Sequence, residues 1–129
     1  MKMIPSTLAG LTLLLLAPAA MASELVCAVV DARQCRPGGD CVAVDLAEAN
    51  VPRFIEVDLK GKRLHGTRPD GADASSIIRA SFRHRDRLAL HGIEGGRSWT
   101  LLLADDGHFV LAAADVDAGY SLFGECMTR

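Results

Sequence analysis

Turn-forming clusters interrupt this chain at short intervals: Pro37-Gly38-Gly39, Asn50-Val51-Pro52, Lys60-Gly61-Lys62, Pro69-Asp70-Gly71, Glu94-Gly95-Gly96 and Asp105-Asp106-Gly107. The runs between them have the length of strands in an antiparallel meander rather than of helices joined by linkers. The fold class expected is all-β, a small closed barrel or a sandwich of about 8–9 strands. The strands expected are Glu24–Asp31, Val42–Ala47, Arg53–Leu59, Arg63–Thr67, Ile77–His84, Arg87–Gly92, Ser98–Ala104, Phe109–Ala113 and Tyr120–Cys126.

Successive side chains of a strand point to opposite faces, so alternation nominates a core. Val42, Val44 and Leu46 share one face. Ile55, Val57 and Leu59 form the inward set of their strand and leave Glu56 and Asp58 to water. Trp99, Leu101 and Leu103 face the same side as Phe109 and Leu111 across the Asp105-Asp106-Gly107 turn. Residues 73–84 admit two readings: a helix capped in Asp73-Ala74-Ser75-Ser76, with Ala74, Ile77, Ile78 and Phe82 buried, or a strand with Ile78, Ala80, Phe82 and His84 inward. Its strand-rich surroundings favour the second.

Four cysteines remain to be placed: Cys27, Cys35, Cys41 and Cys126. Zinc knuckles and thioredoxin-like sites set two cysteines two residues apart, a spacing absent here. Four cysteines permit three pairings. Pro37-Gly38-Gly39 can reverse the chain and bring Cys35 to Cys41, which leaves Cys27 for Cys126. On the chain-entropy estimate the short loop is worth roughly 2.4 kcal/mol and the long one roughly 4.7 kcal/mol. The long bridge would join the first strand to the last, as in a barrel or a sandwich with tied edges.

Paired cysteines fit an oxidising compartment, and the first 22 residues carry the address. Met1 to Ala22 holds one cation, Lys2, then the apolar run Leu8 to Ala17, and closes on Ala20-Met21-Ala22, the pattern of a secretory signal peptide. The apolar run is far shorter than the roughly 20 residues a membrane-spanning helix needs. Glu24-Leu25-Val26 before Cys27 is no lipid-attachment site. The expected mature chain is one domain, residues 23–129, in the periplasm or secreted. The chain has 14 Lys and Arg against 16 Asp and Glu, and cleavage removes one cation, so the mature protein is mildly acidic. That balance argues against nucleic acid or an anionic membrane as the main partner, since both require a clustered positive field.

No catalytic or metal-binding constellation emerges, and no cofactor is implied. Gly119-Tyr120-Ser121-Leu122-Phe123-Gly124 has one residue too many for a nucleophile elbow, and no helix can follow it. His65, His84, His91 and His108 are scattered singly, although adjacent strands could join His84 to His91. Asp115-Val116-Asp117 and Asp70-Gly71-Ala72-Asp73 lack the full ligand series of a calcium loop and read as acidic turns. The one charge anomaly is RASFRHRDR, Arg79 to Arg87. On a strand its Arg79, Arg83 and Arg85 would alternate outward as a cationic stripe, either a solubilising guard for a sheet edge or a site for an anionic partner.

The layout resembles that of uncharacterised small exported all-β proteins of proteobacteria: a signal peptide, the early cluster Cys27, Cys35 and Cys41, a β-rich middle containing FIEVDL, and a closing FGEC at Phe123 to Cys126. The resemblance implies an envelope location and brings no catalytic residues. The function expected is a non-enzymatic periplasmic binding or interaction module whose partner is an envelope protein or glycan. Inhibition of an envelope hydrolase is the alternative, because periplasmic lysozyme inhibitors are also small, disulfide-tied β-barrels.

Overall fold

The computed structural model describes residues 24–129, so the signal-peptide reading of residues 1–22 lies outside it. Among the described residues there is no helix, which removes the helical reading of 73–84. The strands are β1 (Glu24–Cys35), β2 (Cys41–Ala43), β3 (Phe54–Asp58), β4 (Arg63–His65), β5 (Ser76–Ile77), β6 (Ala80–His84), β7 (Arg87–Glu94), β8 (Arg97–Ala104), β9 (His108–Ala114) and β10 (Gly119–Thr128). All belong to one sheet in the order β5-β4-β3-β1-β10-β9-β8-β7-β6, with β2 added to the far half of β1.

Every pairing is antiparallel, as short connections require where the paired strands follow one another in the chain. The first and last strands are neighbours in the middle of the sheet. Cys27 and Cys126 stand opposite each other on that seam and are bonded, so this bridge staples the centre of the sheet and does not tie its edges. Cys35 is bonded to Cys41, its partner in the β1/β2 ladder. Both pairings are those expected, and two disulfides fit an oxidising compartment.

The strands form one sheet that curls into a half-barrel, so the closed barrel, one of the two architectures expected, does not form. Ile78 donates its N–H to Lys62 O at 2.9 Å, whereas Arg79 donates to His91 O at 2.8 Å. The chain thus leaves β4 and joins β7 within one residue, without a ladder between β5 and β6. That change of partner also reverses the side-chain phase. Ile78 is buried, but Ser81 and Arg83 then oppose the inward Leu90 and Leu88. Phe82 and His84, expected inward, are exposed.

A second reversal lies in β1, where the register with β10 shifts between Val29 and Asp31. Cys27 and Val29 point inward before this bulge and Ala32 after it, while Val30 is left exposed. A bulge bends its strand and increases local twist, which curls the sheet here. Gly124 sits beside it because a Cβ would overlap Ala28 O and crowd the Phe109 ring.

The concave face holds the core. Val57, Leu90, Leu101 and Cys27 are its largest fully buried side chains, and Trp99, Phe109 and Leu111 pack with them as the alternation requires. Leu59 is only partly buried, and Glu56 and Asp58 are half-covered rather than free in water. The expected strand Val42–Ala47 stops at Ala43. Asp45 Oδ1 accepts the N–H groups of Ala47 at 2.9 Å and Glu48 at 3.2 Å, winding the chain into a turn. Val44 and Leu46 still reach the core, but Val42 is exposed.

Candidate functional site

The concave face opens at one end into a cavity of about 510 Å³, within the size range of small-ligand sites. Its floor is apolar: Ile55, Leu64, Trp99, Leu111 and Leu122. Period-2 alternation delivers these side chains from β3, β4, β8, β9 and β10 to one face, so the floor follows from the same pattern as the core.

The rim is polar and held in place. Arg97, at the start of β8, lays its guanidinium over the Tyr120 ring with Cζ 4.8 Å from the centroid. One of its nitrogens donates to Asp115 Oδ2 at 3.1 Å. Tyr120 is fixed in turn by Gln34, whose Nε2 donates to the phenolic oxygen at 3.1 Å. Asp115 caps its own turn, accepting from the N–H groups of Asp117 and Ala118 at 2.8 Å each. These amides, then Arg97, hold its carboxyl below the ordinary value, so it stays ionised as the anchor for Arg97. A guanidinium has five N–H donors, and those Arg97 does not spend on Asp115 remain for a ligand.

Two loops complete the rim, residues 49–52 and the segment around Arg68. Asn50 Nδ2 donates to Asp70 Oδ2 at 2.9 Å, tying one loop to the other. The Ala72 N–H and this amide hold the Asp70 carboxyl below its usual value. Asn50 itself sits at φ 54°, a left-handed conformation that asparagine tolerates better than most residues.

The remaining sequence candidates fall elsewhere. Arg79 lies in the crossing between β5 and β6, Arg83 on β6 and Arg85 in the turn to β7, all exposed. Arg83 opposes inward-facing Leu88 and therefore lies on the concave side, so the stripe is not the uniform outward row expected. Ser121 is half-buried near the start of β10, opposite Arg33 and Ala112. The ladder sets His84 opposite Arg87 and His91 opposite Ala80, so those two histidines do not meet. His91 instead bonds Thr100 Oγ1 at 2.8 Å and packs edge-on against Phe82. His65 lies 2.7 Å from Asp73, and His108 lies 3.1 Å from Asp106 and 3.3 Å from Glu125. Among the described residues no three His, Cys, Asp or Glu side chains are grouped to hold a metal ion.

Arg97 and Tyr120 carried no sequence signal as a site. They are 23 positions apart, and only the β8-β9-β10 register brings them together. No protein-family model, no curated protein and no solved structure matches this chain.

Proposed function

We propose that this protein is an exported binding module of the cell envelope, of the kind its resemblance to small exported β proteins suggests. Its partner, an envelope protein or glycan, inserts an apolar group into the mouth of the half-barrel and presents a hydrogen-bond acceptor or anion to Arg97. One observation carries this reading: an open cavity with an apolar floor whose rim arginine is held in position by Tyr120 and Asp115. Prior fixing of a donor reduces the ordering cost of binding. Two disulfides support an oxidising location, and no helix among the described residues is long and apolar enough to cross a membrane.

Trp99 lines the mouth and is the only tryptophan in the chain, so its fluorescence reports occupancy directly. Anilinonaphthalene sulfonate, an aromatic body with one anionic group, is a suitable probe. Energy transfer from Trp99 to the bound dye is expected, with weaker binding in Arg97→Gln and displacement by soluble envelope fractions. Dye binding that ignores both Trp99 and Arg97 would remove the mouth from consideration.

A further inference from the structure

The half-barrel has two end strands, the two-residue β5 and the longer β6, so the β6 edge is the one long enough to pair with an added strand. β6 ends the sheet, so alternate residues along it turn their backbone N–H and C=O groups away from β7. Beside that edge lies a second cavity, about 280 Å³, bounded by Leu25 and Leu59 on one bank and by Arg83 and Leu88 on the other, with Leu103 between. It is at the opposite end of β8 from the mouth, since Leu103 and Ala104 line it where Arg97 and Trp99 line the mouth.

The charges around the gap have one sign in excess. Arg79, Arg83 and Arg85 take no ion pair among the described residues, whereas Asp86 is bonded to Arg87 at 2.7 Å. Lys60 and Lys62 follow Leu59 on the far bank, and Lys62 O receives the Ile78 N–H. Asp105 is the one acid lining the cavity. Arg85 stands at φ 53°, in a two-residue hairpin turn where glycine or asparagine would be less strained. Phe82 is 62 % exposed on the same edge strand.

We propose that the β6 edge accepts an extended acidic segment of a partner protein, which pairs with β6 as an added strand and fills the gap in the half-barrel. Backbone hydrogen bonds to β6 supply the pairing, apolar side chains alternate toward Leu25, Leu59 and Leu88 beside the Arg83 stem, and carboxylates at the ends of the segment meet Arg79 and Arg85, which flank β6. Charge complementarity selects this occupant. A second copy docking β6 against β6 would set arginine against arginine, which the same cationic edge opposes. The site is separate from the mouth and does not depend on it.

The test uses the oxidised chain and a blocked peptide of alternating valine and glutamate as long as β6. Binding is expected, with slowed hydrogen exchange at Ser81 and Arg83 amides. A lysine-for-glutamate peptide and one N-methylated at alternate positions should fail to bind. Replacing Arg79, Arg83 and Arg85 together by glutamine should weaken binding about tenfold, the sum of several exposed charge pairs. The N-methyl comparison needs no variant and stands even if the triple variant folds poorly. No binding at millimolar peptide, or binding without protection of β6 amides, overturns the proposal. Charge-dependent binding that tolerates N-methylation points to an anionic polymer instead and also overturns it, as does a dimer of the chain that already covers β6.

Discussion

Trp99 donates its indole N–H to Ser76 Oγ at 2.8 Å, joining β8 to β5 across the interior of the half-barrel. Both residues are buried, at 6 % and 9 % exposure, so neither group has ready access to water. Ser76→Ala leaves a buried donor without its acceptor, which costs about 1–3 kcal/mol. The denaturation midpoint followed by Trp99 fluorescence should fall accordingly. An unchanged midpoint would mean that the indole finds another acceptor or water at the mouth.

Gly92 opposes Trp99 in the β7/β8 ladder, and a Cβ at this position would overlap the indole ring. Gly92→Ala is therefore expected to displace the tryptophan, destabilising the fold by about 1–3 kcal/mol as overpacking does. It should also shift Trp99 emission and weaken dye binding at the mouth. Alanine at Gly95 meets no neighbour within 4 Å but inherits φ 57°, so it should cost stability without moving the emission. The pair separates a clash from backbone strain.

Removal of each disulfide should rank by loop length. Cys27→Ser with Cys126→Ser opens a sequence separation of 99, and Cys35→Ser with Cys41→Ser opens one of 6. On the chain-entropy estimate the losses are about 4.7 and 2.4 kcal/mol. In the first pair Cys27 is fully buried on the central seam and Cys126 partly so, and a serine at Cys27 therefore brings a desolvation cost as well. Equal losses in urea titration would mean that the unfolded chain keeps the β1/β10 contact without its bond.

Much of this fold was legible because local chemistry decided it. Pro37-Gly38-Gly39 returned the chain and fixed one disulfide, and alternation placed Trp99, Leu101, Phe109 and Leu111 on the face they occupy. The failures came where pairing partners change. Val30 is extra in the β1 ladder and flips the inward set, while Ile78 and Arg79 bond to different strands and turn Phe82 outward. Alternation within a segment carries no record of a bulge or a change of partner, since both depend on strands far away in sequence. The same holds for the mouth: Arg97, Tyr120 and Asp115 form a unit only through the register of β8, β9 and β10, which no single segment of sequence encodes.

The β9–β10 turn should loosen in acid, with Asp115 as the responsible group. Its folded pKa lies below the ordinary value of 3.8 because the Asp117 and Ala118 amides, and then Arg97, favour the ionised form. A depressed carboxyl contributes its stability in full above 3.8 and loses it as pH falls through the lower folded value. The Asp117 and Ala118 amide shifts should therefore move with a midpoint below 3.8, together with release of Arg97 from its anchor. Asp115→Asn keeps an oxygen to accept the two turn amides but has no charge to hold Arg97. It should keep the turn at neutral pH, abolish that titration, and weaken dye binding at pH 7. A midpoint at or above 3.8 would show that the turn amides do not favour the ionised carboxylate, and that Arg97 is positioned by Tyr120 alone.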